Sequence, residues 1–209
     1  MGAADDADVN ELTKRTHDGD SGRTHLGRHG DVSKTDARVA AYADCDEANA
    51  AVSVAVAAGA LPVHVTSMLT SVQNDLFDLV TDLSTPLGRD EPAEARIQPA
   101  HIERLERAVD HFVQEASDLG GMILPGGTLA AALLYQARAV VRRAERSVWA
   151  AIEAFPGQLN PLSAQYLNRL SLLLFVIARG ANAEHGDVLW VPEASARAMA
   201  AESPEAEEG

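Results

Sequence analysis

The sequence predicts an all-α protein, a bundle of five helices. Hydrophobic residues make up 46% of its 209 positions and aromatic residues only 4%. Long stretches are rich in Ala and Leu with few β-branched residues, a mix that favours helix over sheet. Five segments carry apolar residues at helical spacing, and glycines and prolines punctuate them.

The first helix runs from about Asp36 to Ala58; it is Ala-rich, has a weak apolar stripe, and stops at Gly59 with Pro62 beyond. The second runs from about Val63 to Ser84, with Val65, Leu69, Val72, Leu76, Leu79 and Leu83 as its seam. Residues 85–98 hold two prolines and several charges and read as a loop. The third helix starts at Pro99, a residue suited to a first turn. Ile102, Leu105, Val109, Phe112 and Ala116 form its stripe, and Gly120-Gly121 end it. The fourth follows Pro125-Gly126-Gly127 and runs to about Phe155, with Leu129, Leu133, Ala137, Val140, Ala144, Val148 and Ile152 facing the core. The fifth runs from about Pro161 to Ala183 on Leu162, Tyr166, Leu170, Leu173, Ile177 and Ala181. Short linkers make neighbouring helices antiparallel. The expected organisation is a flexible tail and glycine-bearing loop over 1–35, a helical bundle over 36–192, and a disordered acidic tail over 193–209.

The charge balance excludes some classes of partner. With 31 acidic against 17 basic residues the net charge is −14, the wrong sign for a general binder of nucleic acid or anionic membrane. One cysteine, Cys45, excludes an intrachain disulfide and a multi-cysteine zinc site, and suits a reducing cytosol. No apolar run approaches the roughly 20 residues that span a bilayer. The first ten residues are polar and acidic, unlike a secretory signal. The expected location is cytoplasmic.

Helical projection finds polar faces opposite the core. Arg138, Arg142, Glu145 and Trp149 share one side of the fourth helix, with Arg146 at its border. Four arginines, these three and Arg143, lie within nine residues of an acidic protein. A polyphosphate suits them, because guanidinium binds phosphate in bidentate fashion. A solvated or interface face laced by ion pairs such as Arg142–Glu145 suits them equally. On the fifth helix Asn168, Leu172, Phe175 and Arg179 lie together, as the lining of a pocket or as a subunit contact. The N-terminal loop holds Thr16, Gly19, Asp20, Gly22, Thr24, Gly27, Gly30 and Lys34. Glycine lets backbone fold closely round a phosphate, although the Walker A spacing is missing. Gly19-Asp20-Ser21-Gly22 also matches the residues around a trypsin-like nucleophile, a chance match in a helical chain. His17, His25 and His29 with Asp18, Asp20 and Asp31 follow no standard metal-ligand spacing.

Taken in order, these pieces resemble the PduO-type ATP:cob(I)alamin adenosyltransferases over about residues 13–192. The resemblance rests on Gly19-Asp20-Ser21-Gly22, Val32-Ser33-Lys34, Asp46-Glu47-Ala48-Asn49 and Gln73-Asn74-Asp75-Leu76-Phe77-Asp78. It continues through Ile123-Leu124-Pro125-Gly126-Gly127, Arg138 with Arg142-Arg143-Ala144-Glu145-Arg146, and Asn168-Arg169-Leu170-Ser171 with Leu174-Phe175. It implies a five-helix bundle of cobalamin adenosyltransferase type, assembled as a homotrimer with active sites between subunits. The implied reaction moves the 5′-deoxyadenosyl group of ATP to cob(I)alamin, giving adenosylcobalamin and triphosphate. ATP, Mg²⁺ and cob(I)alamin are the implied cosubstrates and ion, and the protein's own metal ligands stay unassigned. A corrinoid reductase or an adenosylcobalamin-dependent enzyme is an implied partner.

The positions carried over for ATP are Thr16, Gly19, Asp20, Gly22, Thr24, Lys34, Arg142, Glu145, Arg146 and Asn168. Arg142, Glu145, Arg138 and Asp46 are the implied catalytic set, with Asp46 pairing across the interface with Arg138. Met122 falls on the corrinoid side, where the family has a phenylalanine that helps exclude cobalamin's lower axial ligand. Leu172 replaces a family aspartate, Tyr135 replaces a histidine, and His17-Asp18 and Arg23 depart from the family loop. These departures keep a second reading open, a catalytically impaired homologue that binds ATP or a corrinoid as carrier or regulator.

Overall fold

The computed structural model describes residues 19–88, 93–116 and 120–197. Five helices carry the fold: α1 (Ala37–Ala58), α2 (Val63–Leu83), α3 (Pro99–Phe112), α4 (Leu129–Ala154) and α5 (Pro161–Ala181). α4 packs between α1 and α5, while α2 flanks α1 and α3 flanks α5.

Local chemistry sets where each helix begins. Asp36 accepts from Arg38 N at 2.9 Å and caps α1. Thr128 Oγ1 accepts from Ala131 N at 3.1 Å at the start of α4, and Asn160 Oδ1 from Leu162 N at 3.1 Å at the start of α5. Each cap satisfies a backbone donor that the first turn leaves open, worth about 1 kcal/mol. α3 starts with a capping box between Gln98 and His101, followed by Pro99. It ends at Phe112, short of the expected Gly120. Residues 113–116 continue it as tightened turns, Glu115 N bonding Phe112 O at 3.1 Å.

The core is aliphatic. Leu69, Leu76, Leu79, Leu105, Leu134, Leu167, Leu170 and Leu173 are fully buried, each contributing about 1.5–3 kcal/mol by leaving water. α5 corrects one expectation. Its 21 residues, with mean hydropathy 1.2 over an 18-residue window, are long and apolar enough by length and composition to cross a membrane. Here it is the core helix, buried along most of its length.

Polar side chains inside the core hold the helices in register. Asp75 on α2 is paired with Arg104 on α3 and accepts the Tyr166 hydroxyl of α5 at 2.7 Å. Asp82 pairs with Arg96 and accepts from Ile97 N at 3.0 Å and Asn160 Nδ2 at 2.7 Å. Asn49 and Gln73 join α1 to α2, Gln73 Nε2 donating to Asn49 Oδ1 at 3.2 Å and Asn49 Nδ2 to Gln73 O at 3.2 Å. Two of the motifs that carry the resemblance are thus struts of the bundle.

The glycine-bearing loop is partly ordered as sheet, which the sequence reading did not foresee. β1 (Arg23–His25) and β2 (Asp31–Ser33) form an antiparallel hairpin in register Arg23↔Ser33, Thr24↔Val32 and His25↔Asp31. A 3-10 turn, Gly27–His29, joins them. Strands of three residues are too short to show alternation, and only Leu26 and Val32 of this segment are buried. The expected disordered tail lies outside the described residues from 198 onward. Residues 193–197 begin it as a helical turn, with Arg197 N bonded to Glu193 O at 2.9 Å.

Candidate functional site

Two groups of the expected residues are assembled. The first is the hairpin, fixed against the ends of α1 and α2. Arg28 N donates to Ser84 O at 2.9 Å. His29 Nε2 lies 3.0 Å from Leu83 O, while its Nδ1 lies 3.0 Å from Arg38 Nη1. Arg38 can only donate, so the neutral ring carries its proton on Nε2 and donates to Leu83. The Arg38 guanidinium also grips Asp36 at 2.7 Å and stacks 3.8 Å above the Phe155 ring. This pairing holds the Asp36 carboxyl below its ordinary range.

Gly19, Gly22 and Lys34 close the open end of the hairpin. Gly22 N bonds Gly19 O at 3.0 Å and Lys34 N bonds Gly22 O at 2.9 Å. Gly19 has φ +96°, and a Cβ there would stand 3.0 Å from Lys34 Nζ. The absence of a side chain lets the ammonium lie against the turn. Thr24 is half-buried in β1, and Asp20 is exposed beside Gly19. Thr16, with His17 and Asp18, lies outside the described residues.

The second group lies on α4 and α5. Arg142 and Arg146 are exposed, Arg138 and Glu145 half-buried. Asn168 Nδ2 donates to Glu145 Oε1 at 3.0 Å. Asn168 Oδ1 in turn accepts from Arg169 Nη1 at 2.9 Å, and Arg169 Nε reaches Glu106 Oε1 at 2.8 Å. The expected Arg142–Glu145 lacing is replaced by this chain from α4 through α5 to α3. Among the described residues no carboxylate pairs with Arg138, Arg142 or Arg146. Arg143, in contrast, is taken by Asp44 and Glu47 of α1. It braces α1 to α4 and leaves three arginines of the helix without a carboxylate partner among the described residues.

Arg138 is the most constrained of the three. Its Nε is buried without a hydrogen-bond partner, and its guanidinium lies 5.3 Å from the Phe175 ring centre. Burial, then the neighbouring Arg142 charge, push its pKa down. A buried cation without an anion is a costly arrangement that an arriving anion relieves. The Tyr135 hydroxyl is also buried without a partner. Burial and then Asp187 push its pKa up to about 12. Asp46 is exposed on α1 and forms no ion pair among the described residues.

One expected site residue is placed elsewhere. Arg179, grouped with Asn168 by projection, is 2% exposed and paired with Asp187. It belongs to the interior because the 182–191 segment folds back over α5. Leu172 stays where projection put it, 46% exposed on the Asn168 side of α5. The reading missed Asn182, which is 2% exposed. Its Oδ1 accepts from Thr128 N at 2.9 Å, and its Nδ2 donates to Gly126 O and Asp187 Oδ1, each at 2.9 Å. Gly127 has φ +94°, and a Cβ there would stand 2.5 Å from Asn182 Nδ2. An asparagine just past an apolar stripe, facing a Pro-Gly-Gly loop, was the available signal. Asp75, Asp78 and His101 offer ligand atoms close enough together for a metal ion. Arg104 and Tyr166 already occupy the Asp75 carboxylate, so this cluster reads as a charge network.

The fold and this face define a class: a helical bundle with a guanidinium-rich helix, an ordered carboxylate–amide pair and a glycine-lysine hairpin, the equipment for holding a polyphosphate. The cobalamin adenosyltransferase family model matches residues 14–181, and the chain belongs to that family. It is 49% identical over 181 residues to a corrinoid adenosyltransferase of Mycobacterium leprae, covering 85% of this chain and 94% of that one. It is 36% identical over 190 residues to the corrinoid adenosyltransferase PduO of Salmonella typhimurium, covering 90% of this chain and 55% of that one. Among solved structures it resembles a variant PduO-type ATP:corrinoid adenosyltransferase from Lactobacillus reuteri complexed with cobalamin and ATP. The TM-score is 0.75 at 32% identity, covering 84% of this chain and 97% of that one.

Proposed function

We propose that the protein transfers the 5′-deoxyadenosyl group of ATP to cob(I)alamin. The Co(I) centre attacks the ribose C5′ with its electron pair. A Co–C bond forms, the C5′–O bond breaks, and triphosphate departs with the bonding pair. The cobalt is itself the nucleophile, so the protein's tasks are alignment, charge neutralisation and exclusion of water. The observation that carries the reading is the trio Arg138, Arg142 and Arg146, which pair with no carboxylate among the described residues and stand beside the Glu145–Asn168 pair.

In this reading Arg142, Arg146 and Lys34 hold the triphosphate as charge accumulates on it. Gly19, Gly22 and Thr24, with Asp20 and Thr16, shape the hairpin around it. Glu145, fixed by Asn168, orients the nucleoside. Mg²⁺ arrives with the nucleotide, whose phosphates and waters supply most of its ligands. The homotrimer supplies the missing anion of Arg138, with Asp46 of a neighbouring subunit as its partner; the buried unpaired Arg138 Nε and the exposed Asp46 support this. The reaction takes place in the cytoplasm, beside a reductase that delivers Co(I).

An anaerobic assay tests the reading. Reduced cobalamin, ATP and Mg²⁺ should lose the cob(I)alamin absorbance and yield adenosylcobalamin and triphosphate in equal amounts. A folded, ATP-binding protein that forms neither product would leave only the carrier or regulator reading.

A further inference from the structure

Two apolar side chains stand exposed beside the polar pair that joins α4 to α5. Trp149 is 40% exposed and Leu172 46% exposed. Trp149 follows Glu145 by four residues, and Leu172 follows Asn168 by four, one helical turn in each case. The two helices run antiparallel, since Glu145 meets Asn168 while Arg138 meets Phe175. Leu172 therefore lies toward Arg138, and Trp149 lies on the opposite side of the pair.

Trp149 also belongs to the arginine face. It comes three residues after Arg146 and seven after Arg142, spacings that place all three on one side of the helix. Glu145 commits its Oε1 to Asn168, and among the described residues its Oε2 accepts no hydrogen bond. Two turns of α4 thus present unpaired guanidiniums at Arg142 and Arg146, a free carboxylate oxygen at Glu145 and a flat indole at Trp149. A nucleoside triphosphate carries the complementary parts: an anionic chain, a base edge and a base face. Bases stack on aromatic side chains whatever their identity. The carboxylate adds selection, because it only accepts. Adenine offers it a 6-amino group, where guanine has a carbonyl oxygen that cannot donate.

We infer that Trp149 is the stacking platform for the adenine base and that Glu145 Oε2 accepts from its 6-amino group. The inference deepens the reaction proposed above, on which it rests. The arginines recognise charge, Trp149 the face of the base, and Glu145 its edge. Trp149 is in this sense a specificity residue: it separates a nucleotide from a bare polyphosphate, and Glu145 separates ATP from GTP.

The test titrates the full chain, in Mg²⁺, with ATP, GTP and inorganic triphosphate in turn. Trp149→Ala should weaken ATP binding about tenfold or more and leave triphosphate affinity unchanged, while Trp149→Phe should keep most of the ATP affinity. Glu145→Gln should narrow the preference for ATP over GTP. Trp190→Phe leaves Trp149 as the sole tryptophan; ATP should quench its fluorescence and triphosphate should not. A Trp149→Ala protein that keeps its ATP affinity would overturn the inference. Equal losses for ATP and triphosphate would overturn it too, and a changed sedimentation mass beside them would give Trp149 to a subunit contact instead. If the unsubstituted protein binds ATP and triphosphate equally well, the base makes no contact, and this inference fails while adenosyl transfer stands. Binding of neither overturns both, so the two failures are distinguishable.

Discussion

Asn168 Nδ2 sits 3.0 Å from Glu145 Oε1, joining α5 to α4 at the centre of the arginine face. A hydrogen bond to a charged group contributes about 1.5–3 kcal/mol. Asn168→Ala should therefore weaken ATP binding by about tenfold or more. Asn168→Asp, which sets a second carboxylate against Glu145, should weaken it further. Isothermal titration with ATP and Mg²⁺ reads both. Affinities in both variants equal to that of the unsubstituted protein would show that Glu145 needs no partner at this site.

The neighbouring arginines should separate cleanly. Arg142→Ala should lower turnover by about 10²–10³, as expected when a donor to developing negative charge is removed. Arg143→Ala should leave ATP affinity unchanged, because Asp44 and Glu47 of α1 already hold that guanidinium. Steady-state kinetics on the two single variants make the comparison. Similar losses from both would return Arg143 to the phosphate site.

Gly127→Ala tests the loop before α4. The new Cβ would stand 2.5 Å from Asn182 Nδ2, on a backbone with φ +94°. Strain in such a conformation costs about 1–3 kcal/mol. In a chain of this size that lowers Tm by about 2–4 °C per kcal/mol. A thermal melt that matches the unsubstituted protein would mean the loop can leave Asn182 freely.

The hairpin anchor should be acid-sensitive. Asp36 has its pKa held below the ordinary value of 3.8, chiefly by the Arg38 hydrogen bond. Its contribution is thus fully present above about pH 4 and is lost as pH falls through the lowered value. Asp36→Asn should remove this part of the acid dependence and keep much of the cap. Urea midpoints from pH 2 to 6, compared between the two proteins, give the measurement. Parallel curves would show that Asp36 carries none of the acid transition.

Much of this architecture was legible because a helix repeats its pattern many times. The Val65 to Leu83 seam spans five turns of α2, and every member of it is buried. The hairpin was not legible, since three-residue strands carry no repeat. The α4 face was placed by angular projection alone, yet which arginines stay unpaired depended on α1, whose Asp44 and Glu47 lie about a hundred positions away in the chain. Projection also set Arg179 beside Asn168. It could not show that the segment beyond α5 returns with Asp187 to cover that guanidinium. Helical period reports one element at a time, whereas charge pairing is decided between elements.

Asn182 and Asp187 stand past the last residue of α5, yet Asn182, held by Asp187, fastens a loop 54 and 56 residues upstream. A chain cut after Ala181 would keep every helix and lose the lock on Gly126 and Thr128. Domain boundaries drawn at the end of the final helix would pass every test of helical content and still discard the fastening of the Pro-Gly-Gly turn. Tags or fusions at this terminus are best placed beyond Trp190, whose N–H donates to Met122 O at 2.7 Å.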